Sequence, residues 1–221
     1  MANAIHLLTE LIKFDSSTKS GVNEAIAYCE QWLMEQGLPV KKIENQGYHM
    51  LVCEIGQGDQ TIVLNGHIDV VEAEENQYEP YLAEGELYGR GAADMKAGVA
   101  ASMMALSQLK DKELSAKVML QVVPDEETGG VYGTKYLTEN GYLGDFIICG
   151  EPTNMGIGIQ AKGVVQLDIT VSGKPAHGSR PWEGDNAITK AISLYEEILE
   201  LPFAQESSSF YNSPSINLAK I

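Results

Sequence analysis

The feature that most constrains this chain is a recurring unit. An apolar run of strand length meets a turn, then a carboxylate or imidazole, then a helix-forming segment. Thr61–Leu64 leads through Asn65-Gly66 to His67 and Asp69, Lys117–Val123 leads through Pro124 to Asp125-Glu126-Glu127, and Asp145–Cys149 leads through Gly150 to Glu151. Between them lie Lys96–Lys110, rich in small apolar residues that suit a helix packed closely on a sheet, and Val131–Asn140, stopped by Gly141. Strands buried on both faces read as continuous apolar runs. The alternation therefore predicts an α/β fold, a layered domain with a largely parallel central sheet. Ligands of such sheets gather at the carboxyl ends of the strands, which is where these polar groups fall.

The flanking segments fill in the outline. Ala4–Phe14 predicts a short amphipathic helix, and Ser20 is placed to cap a second one that carries Val22, Ala25, Ile26, Cys29 and Leu33. Gly37 and Pro39 end that helix, and strands follow near Val40–Ile43 and Met50–Ile55. Glu72–Glu84 reads as an acidic surface loop, with a short strand at Glu86–Tyr88 running into Gly89-Arg90-Gly91. After Gly163 the pattern changes. Val164–Val171 alternates apolar and polar residues, as a strand with one wet face does; a loop then carries His177, Ala187–Leu201 is an amphipathic helix, and Ser215–Ile221 starts a further strand. A boundary near Gly163 divides the chain into 1–162 and a second module, 163–221, that is cut short.

An apolar fraction of 44% is enough for a real core, and a formal charge of −16 argues against nucleic acid and anionic membrane surfaces as partners. No run reaches membrane-spanning length. The first residues lack the basic and long apolar regions of a signal peptide. Cys29, Cys53 and Cys149 sit in apolar surroundings, which predicts buried, reduced thiols and a cytoplasmic protein.

His67, Asp94, Glu126, Glu127 and Glu151 all follow strands or strand-like runs. Imidazole nitrogen and carboxylate oxygen are the donors that borderline and hard divalent cations take. A shared carboxylate can hold two ions about 3.5–4 Å apart, acidifying a water whose proton a further carboxylate accepts. Glu126-Glu127 serves both roles only if the backbone turns between them. In His67-x-Asp69 a carboxylate can steady the imidazole ring. Singly, each has a plainer reading: Asp94 as cap of the helix that follows, Glu126-Glu127 as a solvated loop, Glu151-Pro152 as a turn. Together, at successive strand ends of one sheet, they are hard to assign to solubility.

Gly66-His67-Ile68-Asp69-Val70-Val71, Gly89-Arg90-Gly91 with Asp94-Met95-Lys96, Asp125-Glu126-Glu127 with Gly129, and Gly150-Glu151-Pro152-Thr153 resemble the motifs of the dinuclear zinc deacylase/peptidase family. That family includes succinyl-diaminopimelate desuccinylase, acetylornithine deacetylase, aminoacylases and glutamate-releasing carboxypeptidases. The resemblance implies two zinc ions, with cobalt as a substitute. His67 would bind one ion, Asp94 bridge both, and Glu127 and Glu151 bind one each. Glu126 would be the general base, Asp69 would orient His67, and a cis peptide would join Asp94 to Met95. Gly173–Ser179 resembles the start of the family's ferredoxin-like lid, a dimerisation module, with His177 as the oxyanion donor. The implied reaction is hydrolysis of an N-acyl amino acid. A dipeptidase or carboxypeptidase of the same family is the alternative, and a non-catalytic remnant needing a partner segment is the third reading. The family pattern continues beyond residue 221 with the rest of the lid and a last histidine ligand, which neither His6 nor His49 matches. The expectation is a fragment or truncated frame, one ligand short and weak or inactive alone.

Overall fold

The structure, a computed structural model, describes residues 4–154, 156 and 161–220. Its contacts divide the chain into two units, Met1–Ile159 and Gln160–Ile221.

The first unit opens with α1 (Ala4–Ile12) and α2 (Lys19–Glu35), followed by β1 (Val40–Asn45), β2 (Tyr48–Ile55) and β3 (Thr61–His67). Then come β4 (Tyr81–Ala83), β5 (Glu86–Tyr88), α3 (Ala97–Leu109), β6 (Lys117–Val123), α4 (Thr134–Glu139) and β7 (Phe146–Cys149). The main sheet has the order β1-β2-β6-β3-β7. β1 and β2 form an antiparallel edge, while β6, β3 and β7 run parallel, with Val63 opposite both Met119 and Ile147. From β3 the chain passes through α3 to β6 on one side, then through α4 to β7 on the other. The carboxyl end of β3 is therefore a topological switch point, the crevice where such sheets bind ligands.

The alternation of strand side chains decides which helix covers which face. Leu51, Cys53, Val118, Leu120 and Val122 pack with Leu7, Leu11, Ile26, Leu33 and Leu106 of α1, α2 and α3. Met50, Val52, Val63 and Met119 pack on the other face against Leu137 of α4. Each fully buried Leu or Ile contributes about 1.5–3 kcal/mol, so the three-helix layer is the heavier anchor.

Local chemistry moves several boundaries from those expected. The α2 cap is Thr18, whose side chain accepts the Gly21 amide, whereas the Ser20 hydroxyl reaches Glu24. β3 does not turn at Asn65-Gly66. It stays paired with β6 up to His67 opposite Val123, and the Asn65 amide is satisfied by Gln121 at 3.1 Å. Part of the expected acidic loop is the β4–β5 hairpin, closed by Glu84 and Gly85 at φ 51° and 85°. Glutamate is an unusual residue for the first position of such a turn. α4 starts at Thr134 rather than Val131 because the Tyr132 and Gly133 amides are taken by the Asp125 carboxylate. β7 lies at the edge with all four residues exposed, so Cys149 is exposed while Cys29 and Cys53 are buried, and all three are free thiols.

The second unit contains α5 (Ala187–Leu199), capped by the Asn186 side chain on the Ile188 and Thr189 amides, and α6 (Pro202–Gln205). A β-bridge joins Lys174 to Asp185. The expected strand over Val164–Val171 is absent, and Val164, Val165, Leu167 and Ile169 are exposed. A strand is held by hydrogen bonds to a neighbour, and no second strand stands beside this run among the described residues. The same holds for residues 215–220 of the strand expected over Ser215–Ile221; residue 221 lies outside the described residues.

Candidate metal centre

Because β3 and β6 are parallel and in register, His67 and Val123 end side by side, and the Ile68 amide still donates to the Val123 carbonyl at 2.9 Å. The residues just past these ends, Asp69 and the Asp125–Glu127 turn, therefore emerge together. On the other flank β7 pairs with β3 up to Cys149, and the Gly150 amide donates to the Asn65 carbonyl at 3.1 Å, which brings Glu151 alongside. The fourth contribution comes from the irregular turn before α3. There Asp94 is extended (φ −116°, ψ 101°) and joined to Met95 by a cis peptide bond. α3 approaches the strand ends this closely because Gly98 has no side chain: a Cβ there would collide with the Gly150 carbonyl oxygen. Asp94 caps nothing, since α3 begins at Ala97 without a side-chain cap.

His67 is the hub, with only 1% of its surface exposed. Its Nε2 lies 3.2 Å from Asp94 Oδ1, 3.6 Å from Glu151 Oε1 and 3.8 Å from Glu126 Oε2. Two ligand-like triads result, His67 with Asp94 and Glu127, and His67 with Glu126 and Glu151, each with its donor atoms within 4.8 Å of one another. The other ring nitrogen, Nδ1, faces the Asp69 backbone carbonyl at 3.0 Å and the Asp69 carboxylate at 3.3 Å. A carbonyl can only accept, so Nδ1 carries a proton toward Asp69, and Nε2 is the nitrogen turned to the carboxylate cluster.

Asp69 has a second task that the sequence did not disclose. Its two carboxylate oxygens accept the backbone amides of Glu126 (3.1 Å) and Glu127 (2.9 Å). Asp125, 2% exposed, takes the Tyr132 and Gly133 amides at 2.7 and 2.8 Å, so the glutamate turn is pinned on both sides. The signal for Asp125 was only its place before two glutamates. Nothing in the sequence pointed to Asp69 as an amide acceptor, because the contact spans 57 and 58 residues.

The electrostatics favour a cation. Burial alone would pull the His67 ring down, but the hydrogen bond and charge of Asp69 and the charge of Glu151 hold it up to about 9. Glu127 and Glu151 are pushed up, first by burial and then by the negative charge of Asp94 and, for Glu151, of Glu126, with His67 opposing. One imidazole and four carboxylates crowded at a strand-end crevice suit a divalent ion, which offsets their mutual repulsion.

His177 belongs to the second unit. The Ser179 amide donates to its Nδ1 at 3.2 Å and the Ser179 hydroxyl lies 2.8 Å from the same atom. An amide can only donate, so the neutral ring carries its proton on Nε2. Among the described residues no helix is long and apolar enough to cross a membrane.

The sequence profile of Peptidase family M20/M25/M40 matches residues 63–213. A probable succinyl-diaminopimelate desuccinylase of Staphylococcus epidermidis is 31% identical over 205 residues, covering 88% of this chain and 50% of the relative. A succinyl-diaminopimelate desuccinylase of Gluconobacter oxydans is 36% identical over 162 residues, covering 67% of this chain and 42% of the relative. The chain spans half or less of the length of these relatives. In fold it is similar to an M20 family metallo-carboxypeptidase from Sulfolobus solfataricus, with a TM-score of 0.64 at 22% identity over 95% of this chain and 55% of the other. A tripeptidase from Staphylococcus aureus gives a TM-score of 0.58 at 22% identity over 93% of this chain and 57% of the other.

Proposed function

The chain belongs to peptidase family M20/M25/M40, a family of metal-dependent hydrolases, and from that premise we propose that it carries most of the metal-binding face of an amidohydrolase that removes a succinyl or acetyl group from an N-acyl amino acid. The observation that carries the proposal is the convergence of Asp94, Glu126 and Glu151 within 3.8 Å of one buried imidazole nitrogen, from separate strand ends and turns. The relatives matched in sequence are named desuccinylases, which supports succinyl-diaminopimelate as the first substrate to try.

In this reading His67, Asp94, Glu127 and Glu151 would hold two zinc or cobalt ions. Bound there, such ions polarise an acyl carbonyl and make water more acidic. Glu126 takes the proton of the attacking water and passes it to the leaving amine. Asp69 sets the ring orientation of His67 and the direction of both glutamates. His177, protonated on Nε2, donates to the developing oxyanion, within a lid that begins near Gly163 and pairs subunits. Among the described residues His67 is the one imidazole of the cluster, and its other candidate donors are carboxylates. Three thiols without a disulfide fit a reducing, cytosolic compartment.

The test is metal binding followed by turnover. Calorimetric titration of the metal-free chain with zinc or cobalt is expected to show one tight site lost in His67→Ala, together with a weaker second site. Hydrolysis of N-succinyl-diaminopimelate, N-acetylornithine and dipeptides is then compared in the metal-loaded chain. A chain that binds neither metal above background, or binds equally well without His67, would end this reading.

A further inference from the structure

Lys96 is a lysine with no exposed surface, two residues beyond Asp94. Burying an ammonium costs several kcal/mol unless it is well paired, and a methionine would fill similar space without that penalty. Its ammonium donates to the carbonyls of Leu11 and Phe14, both at 3.0 Å, at the carboxyl end of α1. There a cation meets carbonyl oxygens with acceptor capacity to spare and the negative end of the helix dipole together. The Phe14 carbonyl also accepts the Ser16 amide at 2.9 Å. Ser16 is itself fully buried; its hydroxyl donates to the Ile68 carbonyl at 2.7 Å, and its carbonyl accepts the Val70 amide at 3.2 Å. Ile68 lies between His67 and Asp69. The bend between α1 and α2 therefore touches the His67 loop through Ser16 and the Asp94 turn through Lys96. It is wedged from behind as well, since a Cβ on Gly21 of α2 would collide with the Asp15 carbonyl.

We infer that Lys96 and Ser16 are positioning residues, the two ends of a buried polar bracket built from residues 11–16 that fixes the distance between the His67 loop and the Asp94 turn. Neither side chain donates into the cluster itself. They act through main-chain carbonyls on both sides of it, so that a change at Lys96 is felt at residues 67–71, which Lys96 does not bond. The inference rests on the metal reading for its purpose, but its mechanical content does not need a metal.

Two measurements on the full chain decide it. In the metal-free protein, amide hydrogen exchange is compared for the wild type, Lys96→Met, Ser16→Ala and, as a control for general loss of stability, Leu33→Ala in α2. Lys96→Met is expected to raise exchange in 67–71 about tenfold while β2 and β6 stay protected, and Ser16→Ala to raise it in 94–97. The control is expected to loosen α2 without this selectivity. Should Lys96→Met not fold, Ser16→Ala carries the same test in the opposite direction. Exchange rising only beside each substituted residue would overturn the bracket. The second measurement is the visible spectrum and affinity of cobalt(II): both variants are expected to bind more weakly with altered bands, and the control to match the wild type. A rise in exchange with unchanged cobalt affinity and spectrum would make the contacts merely structural and also overturn the inference. If the wild type binds no cobalt, the metal reading fails and the exchange experiment still decides the bracket.

Discussion

Replacing Asp69 by asparagine isolates the contact that turns a dipeptide of glutamates into two differently aimed carboxylates. The side chain keeps its shape, loses its charge, and offers one acceptor where there were two. In the parent, the amides of Glu126 and Glu127 donate to a carboxylate at 3.1 and 2.9 Å. Hydrogen bonds to a charged group contribute about 1.5–3 kcal/mol each and a neutral one about 1 kcal/mol, so keeping one bond as neutral and losing the other leaves a deficit of about 3 kcal/mol. The Asp69 carboxylate also lies 3.3 Å from His67 Nδ1, and this part must be separated. Urea unfolding of Asp69→Asn is therefore measured both alone and in a His67→Ala background. If the amides carry the effect, most of the loss persists without the imidazole, and exchange at Glu126 and Glu127 rises with it. A loss that vanishes in the His67→Ala background, or amides as protected as in the parent, would show that Asp69 serves the histidine alone.

Glu126→Ala is expected to abolish turnover in the metal-loaded chain while leaving the tight metal site in place; loss of the metal instead, measured by elemental analysis, would mean that Glu126 and Glu127 have exchanged roles. Gly98→Ala puts a methyl group against the Gly150 carbonyl, and overpacking of this kind costs about 1–3 kcal/mol. Because the clash lies between α3 and the Glu151 turn, cobalt affinity should fall by more than the loss of stability accounts for. Burial pushes the Cys29 thiol up to about 12 and the Cys53 thiol up to about 11, and burial with the charge of Glu151 also raises Cys149; because Cys149 alone of the three is exposed, a thiol reagent at pH 8 should modify it first and the other two only on unfolding.

What the sequence disclosed and what it withheld follow from the range of the interactions. β6 and α3 were readable because a strand-length run that is apolar but for Lys117 and Gln121, and a run of small residues, have few other uses. The gathering of His67, Glu126, Glu127 and Glu151 was readable because parallel strands deliver their carboxyl ends to one side; Asp94, expected at a strand end of the same sheet, comes instead from the turn before α3, after the separate β4–β5 hairpin. The acceptor role of Asp69 and the contacts of Lys96 were not, since each depends on a main-chain group far away in sequence; the frame around Asp125 closes within eight residues, but no residue pattern marks it. Lys96 in particular entered only as the last residue of the Asp94-Met95-Lys96 motif and the first of the helical run, with nothing to mark it as buried. Val164–Val171 shows the opposite error: the alternation was real, but a pattern confers strand character only when a neighbour supplies hydrogen bonds.

The bare flank of β7 has a practical side. Phe146, Ile147 and Ile148 stand 48–63% exposed on an outer strand, which pairs with no strand other than β3 among the described residues, so greasy side chains line a rail of peptide groups open to a neighbour. A surface of that kind recruits more of itself. Concentrated stocks of this polypeptide should cloud and precipitate, and a lysine placed at position 147 is the simplest change to keep them clear.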